Sequence, residues 1–583
     1  MLIPKRSTKE IKKIRDSFPL KDPRWLLYNS ELRFTAAYNS NPKSSDTMAW
    51  RHIYKHNLRL YKETSNPVKH VWNMLPLPKP INGLDQITSA ILLNRGITDP
   101  DFIEASLENI NPDMEGLNEA ANLIFRAISK KVPITIYGDY DADGITGTAL
   151  LVESLSTLGA KVDYYINNRY NGYAVNEQGI KEIASRGTPR LIITVDNGVS
   201  AHEAINLARK MKMAVIVTDH HEISEPPNPN VLIHPKNFNT PLAGVGVAFK
   251  LVCKLYERVN RTDAFDLLDL VAIGTIADVV PLIGENRIFA KHGIMYSNIN
   301  PRPAITALSG RINSDTIVYK IAPIINALSR MNGTADQAVE FLLEKNIRKA
   351  QETAKYLITL NDKRKEQVKI DLQRAEKLID PNDKIIILKY EIHEGITGLI
   401  AGKIAEKFNR PAVVLSENGQ YLKGSCRSLK NFNIIKALRK CNLVSCGGHP
   451  MAAGITLEKS MFPMFCRTLL DQAKGLGFQP PTYNIDAELD TIDTDLIQKI
   501  ESLEPFGEAF PAPLFLTRCS VKDAKEIGNN HFKAIDNGVE YIIWDAFKEI
   551  NCKELKLIGR PSLNEFNGSS KVQFIARDYR SIA

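Results

Sequence analysis

The chain has 583 residues, 44% of them hydrophobic and 24% charged, which is typical of a globular protein with several domains. It contains no apolar run of membrane-spanning length, its N-terminal segment lacks the apolar core of a signal peptide, and its 7 cysteines form no CxxC pair. These features argue against a membrane protein, a secreted disulfide-bonded protein and a cysteine zinc site. They predict a cytoplasmic protein with reduced thiols.

The formal net charge of +9 is concentrated at the N-terminus. Residues 1–70 contain 15 Lys and Arg against 6 Asp and Glu, which accounts for the whole excess. Trp25, Trp50 and Trp72 lie in or beside this segment, and basic residues interleaved with aromatic residues are typical of single-strand binding. Two interpretations stay open: an arm that binds nucleic acid, or an extension whose tryptophans pack on the rest of the protein.

Hydrophobic periodicity divides the rest of the chain. From residue 132 to about 300, apolar runs of strand length alternate with helical segments, which predicts a parallel sheet with helices on both faces. Short strand-like runs after residue 480 predict a small β-barrel of the OB type, a fold that binds single strands. We predict five parts: a basic, aromatic-rich extension (1–75), an α/β domain (76–335), a helical connector (336–380), a second α/β domain (381–475) and the OB-like domain (476–583).

Acidic residues and histidines follow the apolar runs ITIYG, LIITV and AVIVT. Because the carboxyl ends of parallel strands form the ligand-binding edge of an open α/β sheet, we expect these side chains to meet there. Carboxylates suit hard divalent cations such as Mg²⁺, and an imidazole among them favours Mn²⁺. The residues are Asp139, Asp141, Asp143, Asp196, Asp219, His220 and His221.

The first of these motifs, DYDADG, is expected to be extended. Asp139, Asp141 and Asp143 alternate, so an extended chain points all three to one side, and Gly144 then ends the strand. Further along, Asp278 stands between apolar flanks in GTIADVVPL, where a carboxylate needs a partner. We predict that Asp278 is another metal ligand; the alternative is a buried carboxylate that backbone amides satisfy.

Each motif also has a simpler interpretation. DxDxDG opens EF-hand calcium loops, but such a loop needs Glu at its twelfth position, which is Leu150 here. Asp-Asn-Gly alone is typical of a turn, and His-His alone is commonly structural. The ordered set of acidic strand ends is more specific than any one of its members.

The second α/β domain contains two glycine-rich segments, Gly424–Ser428 and Gly447–Gly454, which include Arg427 and His449. Small residues let backbone amides approach a phosphate group, and Arg supplies a charged fork for it. These segments predict phosphate contacts.

Taken together, the motifs resemble the RecJ family of single-stranded-DNA-specific exonucleases in the DHH phosphoesterase superfamily. GDYDADGITGTALL, VDNG, TDHH and GTIADVVPL match four family motifs in order, and NALSRM, GSCRS, GGHPMAAGITL and LEPFGEAFPAP match later segments. The resemblance covers about residues 84–583 and leaves the basic extension without a counterpart. It implies a DHH catalytic domain over 76–335, a DHH-associated substrate-binding domain over 381–475 and an OB-like domain over 476–583.

The resemblance also assigns roles. It implies two Mn²⁺ or Mg²⁺ ions per active site, with Asp196 bridging them and Asp219 orienting the adjacent imidazole. One ion is held by Asp141 with help from Asp139, and His221 is assigned to the phosphate group. The implied metal ligands are Asp139, Asp141, Asp143, Asp196, His220 and Asp278; Asp219 and His221 complete the catalytic set. The implied substrate contacts are Arg169, His221, Arg330, Ser425, Arg427, Gly447, Gly448 and His449.

At four positions the sequence departs from the family pattern, and these changes put details of strand contact in doubt. Ile324 replaces an Arg, and Gly is replaced at the other three positions. The departures are Ala174, Ile324, Ser329 and Cys426. The implied metal ligands are all retained.

The resemblance implies a metal-dependent 5′→3′ exonuclease that releases 5′-mononucleotides from single-stranded DNA in recombination and repair. Single-stranded DNA is the expected partner, and a single-strand-binding protein and a helicase are hypothetical protein partners. One alternative is another DHH phosphodiesterase, such as a nanoRNase, which lacks the C-terminal β domain. The other is a non-catalytic, DHH-derived replication scaffold that binds single strands, a class that has lost metal ligands.

Overall fold

The computed structural model describes residues 70–171, 175–223, 225–238, 240–380, 382–528, 530–544, 546–547, 550–566 and 569–582. Most of the basic extension (1–69) and the departure at Ala174 therefore lie outside the described residues. The chain divides into two compact units. One combines Trp72–Arg364 with Thr482–Ala583, and the other contains Lys365–Pro481.

After a first strand, β1 (Val71–Met74), the chain forms a parallel sheet in the order β3-β2-β4-β5-β6. The strands of this sheet are β2 (Ile134–Gly138), β3 (Val162–Ile166), β4 (Arg190–Val195), β5 (Met213–Thr218) and β6 (Val231–Ile233). β2 and β4 are buried along their whole length, as expected for central strands that are covered on both faces.

Alternate side chains of this sheet pack on opposite layers of helices. Ile134 and Ile136 belong to one apolar core, and Tyr137 and Ile192 belong to another on the other face. This arrangement confirms the predicted parallel sheet with helices on both faces. The helices of this region are α1 (Gln86–Leu93), α2 (Asp101–Glu104), α3 (Leu117–Ser129), α4 (Ala142–Thr157), α5 (Glu177–Ser185), α6 (His202–Lys210), α7 (Gly244–Glu257), α8 (Leu268–Ala277), α9 (Gly284–Ile299), α10 (Pro303–Leu308), α11 (Ser314–Thr316) and α12 (Ala322–Asn332).

Two helices, α13 (Asp336–Leu343) and the long α14 (Ile347–Glu376), follow where the connector was predicted. A mixed sheet in the order β10-β11-β9-β8-β7 comes next. Its elements are β7 (Ile386–Lys389), α15 (Thr397–Phe408), β8 (Ala412–Asn418), β9 (Tyr421–Arg427), α16 (Ile434–Leu438), β10 (Ser445–His449), β11 (Ala452–Glu458) and α17 (Phe462–Ala473). In the part of the chain described, no helix is both long enough and apolar enough to cross a membrane.

The C-terminal region is a mixed sheet with the helix α18 (Thr494–Ser502), and its last two strands are long, with 13 and 14 residues. β12 pairs with β1, and the other strands follow the order β13-β14-β18-β19-β17-β16-β15 around buried Phe515, Phe532 and Phe574. The strands are β12 (Thr482–Ile485), β13 (Ala487–Glu488), β14 (Phe515–Ser520), β15 (Lys525–Ile527), β16 (His531–Asp536), β17 (Val539–Ile543), β18 (Glu554–Phe566) and β19 (Ser569–Ile582).

Trp72 packs on this C-terminal sheet. Its indole Nε1 donates a hydrogen bond of 2.8 Å to Asp578, and the guanidinium of Arg580 lies 4.2 Å from the ring centroid. For this tryptophan the packing interpretation is therefore correct. Trp25 and Trp50 lie outside the described residues.

Candidate metal centre

The ends of three neighbouring parallel strands bring the predicted acidic residues together. Asp139 follows β2, Asp196 follows β4 and Asp219 follows β5, and all three side chains are almost completely buried. Asp196 adopts φ +60°, a left-handed conformation that is uncommon for residues other than glycine. The ends of these strands therefore bring the acidic side chains together, as predicted.

The segment after β2 differs from the extended chain that was expected. The strand ends at Gly138 and α4 begins at Ala142, so Asp143 lies in the first helical turn. Asp141 is the N-cap residue, and its carboxylate accepts hydrogen bonds from the amides of Asp143 and Gly144. The prediction of an extended DYDADG was wrong because a helix start uses an Asp at this position to satisfy its free amides.

Backbone amides from a distant helix fix the carboxylate of Asp143. The amides of Gly244 and Val245, at the start of α7, donate hydrogen bonds of 2.7 and 2.9 Å to it. The start of α7 thereby contributes two donors that sequence reasoning missed, because no local signal links them to a residue about a hundred positions earlier.

Asp278 comes from a helix end rather than a strand end. It follows α8 as the C-cap residue, and its side chain is 24% exposed. The Nε2 atom of His220 lies 3.5 Å from Asp278, 3.1 Å from Asp196 and 3.9 Å from Asp143. His220 therefore lies among carboxylates contributed by a strand end and two helix ends.

Three overlapping groups of side chains have ligand atoms within 4.8 Å of one another, a spacing that suits a bound cation. The Oδ1 atom of Asp139 is buried and accepts no hydrogen bond from any described residue. Carboxylate oxygens and imidazole are ligands for Mn²⁺ and Mg²⁺, so the donor set fits these ions. The groups are Asp196, His220 and His221; Asp143, His220 and Asp278; and Asp139, Asp141 and Asp196.

The electrostatics of the cluster favour a cation or protons. Burial, reinforced by the charge of Asp141, raises the pKa of Asp143 to about 7. Burial and neighbouring carboxylates also raise the pKa values of Asp139, Asp196 and Asp278 well above their ordinary value. Carboxylates held this close repel one another when ionised, and a divalent cation removes that repulsion.

Asp219 is held differently from the other acids. Burial acts to raise its pKa, but hydrogen bonds from the His221 ring and the Val199 amide, together with the nearby imidazole charge, outweigh burial and lower it. Its Oδ1 atom lies 2.8 Å from His221 Nδ1. The Asp219 carboxylate also accepts hydrogen bonds from the amides of His220 and His221. The side chain therefore orients the ring of His221 and the backbone that carries both histidines.

Two predicted substrate contacts of the first α/β domain are near this cluster. The guanidinium of Arg169 lies 4.9 Å from the ring centroid of Tyr140, which separates Asp139 from Asp141 in the chain. Burial raises the pKa of the Tyr140 hydroxyl, and the positive charges of Arg169 and Arg330 oppose that shift. Positive charge from both arginines thus reaches the edge of the carboxylate cluster.

The predicted contacts of the second α/β domain share one sheet. β11 places Gly454 between Gly447 and Ser425, and Ala452 between His449 and Arg427. Because alternate strand residues share a face, Ser425, Arg427, Gly447 and His449 lie on the face opposite the buried core of this domain. Gly448 lies beside them on β10.

The N-terminus of α15 joins this face and was missed from the sequence. The hydroxyl oxygens of Thr397 and Ser425 are 3.1 Å apart. A Cβ atom at Gly398 would lie 3.2 Å from Arg427 Nη2 and 3.3 Å from Ser425 Oγ. The available signal was the pair of glycines in HEGITG, the segment that leads into α15.

The departures from the family pattern lie in the interior where the structure describes them. Ile324 is 2% exposed, Ser329 1% and Cys426 0%. Cys426 contributes to the core beneath β9, because its side chain faces away from Ser425 and Arg427. These three changes therefore alter packing rather than the exposed faces.

Comparison with known proteins agrees with this arrangement. Family models match residues 133–275 (DHH family, N-terminal domain), 382–475 (DHHA1 domain) and 483–578 (RecJ OB domain). The chain is 31% identical to the single-stranded-DNA-specific exonuclease RecJ of Escherichia coli over 552 residues, which cover 84% of this chain and 95% of that protein. The chain belongs to the RecJ family.

Further relatives support the assignment to the RecJ family. Identity to the Bacillus subtilis RecJ exonuclease is 34% over 536 residues, covering 84% of this chain and 67% of that protein. The crystal structure of Thermus thermophilus RecJ in complex with Mn²⁺ superposes with a TM-score of 0.77 at 30% identity, covering 88% of this chain and 80% of that one. The Mg²⁺ complex of the same enzyme gives 0.72 at 29% identity, covering 88% and 79%. The predicted fold class, including the OB-like C-terminal domain, is confirmed.

Proposed function

We propose that this protein is a metal-dependent exonuclease specific for single-stranded DNA. The observation that carries the proposal is the convergence of buried carboxylates with raised pKa values on His220 in a chain of the RecJ family. An arrangement that costs energy in the absence of a cation is expected at a functional centre rather than at a structural one.

The cluster would hold two Mn²⁺ or Mg²⁺ ions. Asp196 belongs to two of the three ligand groups and would serve both ions. Asp141, with Asp139, serves one ion; Asp143, His220 and Asp278 serve the other. When bound, two such ions lower the pKa of water and neutralise charge on the phosphodiester.

Asp219 and His221 act beside the metal ligands. Asp219 fixes the ring of His221 through Nδ1, and we assign the ring to a phosphate oxygen of the substrate. Burial acts to lower the pKa of His221, but the hydrogen bond with Asp219 and the surrounding carboxylates raise it. A ring that carries a proton more readily can donate a hydrogen bond to the phosphodiester.

Basic residues and small residues outside the metal cluster bind the DNA strand. Arg169 and Arg330 supply charge at the edge of the cluster, and Ser425 and Arg427 bind the terminal phosphate. Thr397 and Gly398 join that second group, because the first amides of α15 favour an anion. Gly447, Gly448 and His449 contact the backbone of the strand.

We also propose finer features, for which family membership is the support except in the case of the basic extension. The enzyme works 5′→3′, releases 5′-mononucleotides and serves DNA recombination and repair in the cytoplasm, together with a single-strand-binding protein and a helicase. We keep the division into a DHH catalytic domain (76–335), a connector (336–380), a substrate-binding domain (381–475) and an OB-like domain (476–583). The basic extension (1–75) supplies additional strand contacts.

One set of digestions tests the proposal against its rivals. Single-stranded DNA, duplex DNA, RNA of the same sequence and dinucleotides are each incubated with Mn²⁺, with Mg²⁺ or with EDTA. The exonuclease degrades single-stranded DNA with either ion and loses that activity in EDTA. A preference for dinucleotides would indicate a nanoRNase-like phosphodiesterase, and strand binding without cleavage would indicate a scaffold.

A further inference from the structure

The backbone immediately after Asp278 is strained. Val279 has φ +60° and is 62% exposed, although it follows directly on a residue of the metal cluster. It occupies the first position beyond the C-cap of α8, where helices commonly end in the left-handed conformation with glycine. A β-branched residue in that conformation is an outlier, because its side chain crowds the backbone.

Packing of the Val279 side chain does not account for the strain. Val280 and Leu282, which follow it, are 9% and 1% exposed and belong to the core, whereas most of Val279 faces solvent. Glycine at this position would relieve the strain and would sacrifice little buried surface. Strained residues of this kind are concentrated at functional sites, where the side chain has another use.

The members of the metal cluster range from fully buried to partly exposed. The side chain of Asp143 is 1% exposed and that of Asp196 3%, whereas His220 is 14%, Asp278 24% and His221 27% exposed. Val279 directly follows Asp278, a partly exposed member of the cluster, so the two Cα atoms are one peptide unit (about 3.8 Å) apart.

We propose that Val279 is a substrate-contacting residue that packs against the apolar surface of the nucleotide beside the scissile phosphate. The inference rests on the proposed exonuclease function. A valine offers neither charge nor a hydrogen bond, so its contribution is burial of its methyl groups against a sugar or a base. Arginines and glycines of the site contact phosphate, and Val279 adds an apolar contact close to the reacting centre.

The test replaces Val279 by glycine and compares it with Lys212→Gly. Lys212 is also exposed and left-handed, at φ +61°, but it precedes β5 at the sheet edge opposite the cluster. Both variants should keep or raise Tm, since glycine tolerates the conformation. Only Val279→Gly should lower kcat/KM on single-stranded DNA, by about tenfold, which corresponds to about 1.4 kcal/mol.

Two further measurements separate contact from indirect effects. Calorimetric titration with Mn²⁺ should give the same affinity for Val279→Gly and wild type, because a contact residue does not act through Asp278. Val279→Asn, which accepts the left-handed conformation but presents a polar side chain, should show a similar loss of activity. It also serves as the test if Val279→Gly does not fold. The variant and the wild type are also compared on a strand whose 5′ nucleotide lacks its base. Their difference in kcat/KM should disappear on this strand if Val279 contacts the base, and should remain if Val279 contacts the sugar.

If the wild type is active and both Val279 variants have an unchanged kcat/KM, the inference about Val279 is wrong. The proposed exonuclease function is not affected by that result. A parallel fall in Mn²⁺ affinity would also overturn the inference about Val279, since Val279 would then act by positioning Asp278. A wild type inactive on every single strand would overturn the proposed function, and the inference with it.

Discussion

The Nε2 atom of His220 lies 3.1 Å from the Oδ1 atom of Asp196, at the point where the ends of β4 and β5 meet. Both groups come from adjacent parallel strands, whose carboxyl ends define the ligand-binding edge of the sheet. Burial and neighbouring carboxylates raise the pKa of Asp196, so the pair lies in a region that favours positive charge. The effects of substitution, pH and metal on the protein should follow from this cluster of carboxylates and from the surfaces proposed to bind the strand.

Replacing Asp196 by Asn should abolish cleavage without destabilising the fold. Asn tolerates the left-handed conformation of Asp196, and loss of one buried anion relieves repulsion among the carboxylates. We expect activity to fall by more than about a hundredfold, because a bridging metal ligand is lost. The measurements are the exonuclease rate with Mn²⁺ and, separately, the Tm in EDTA, both at pH 8. A variant with normal rates would contradict the assigned role of Asp196.

The stability of the metal-free protein should fall as pH rises from about 4 to about 7. The pKa of Asp143 is about 7 in the fold and near 3.8 when exposed, so the folded state binds more protons across this window. Its contribution is therefore present at low pH and is lost as pH rises through the folded pKa. Mn²⁺ competes with these protons, so it should raise Tm more at pH 8 than at pH 5. Equal Mn²⁺-induced shifts at both values would argue against metal binding by these carboxylates.

Replacing Gly398 by Ala should weaken binding of the DNA strand, while the helix α15 remains intact. Its methyl group would lie 3.2 Å from Arg427 Nη2 and 3.3 Å from Ser425 Oγ, so both groups must move. Gly402→Ala is the matched control, because it lies in the same helix with no atom within 4 Å of the added methyl. Both changes favour helix formation by up to about 1 kcal/mol.

We expect Gly398→Ala to raise KM for 5′-phosphorylated strands, and Gly402→Ala to leave KM unchanged. Kinetics on 5′-phosphate and 5′-hydroxyl strands provide the measurement. If the two variants have the same KM, Gly398 does not contribute to phosphate binding.

Removing residues 1–69 should weaken binding to long single strands but preserve cleavage of short ones. The truncated protein should begin at His70, because β1 and Trp72 pack on the C-terminal domain. Each phosphate that the basic extension neutralises steepens the slope of log affinity against log salt by about 0.7, so the truncated protein should have the shallower slope. Binding isotherms across a salt series supply the measurement. An unchanged slope would assign the basic extension to a protein partner or to packing.

The sequence predicts the strand-end acids because their signal is local. Asp139, Asp196 and Asp219 each follow an apolar run, and parallel pairing brings such ends together without further information. The parallel sheet itself was predictable for the same reason, from the alternation of strand and helix patterns.

Other features of the site depend on contacts that no local pattern encodes, and one depends on a local signal that competes with the alternation of acids. Asp143 meets its donors at Gly244 and Val245 only after the fold is complete. The extended DYDADG was mispredicted because the competing local signal, an Asp that caps a helix, outweighed the alternation of acids. The strain at Val279 depends on where α8 ends, which the apolar flanks of Asp278 do not reveal.

The most direct test of the exonuclease follows a single DNA strand that carries a labelled phosphate at its 5′ end. The strand is incubated with Mn²⁺ and either wild type or Asp196→Asn, and the earliest products are separated by size. The account predicts a labelled 5′-mononucleotide as the first product of the wild type and no product with Asp196→Asn. Labelled fragments of intermediate length as first products, or equal cleavage by the two proteins, would contradict it.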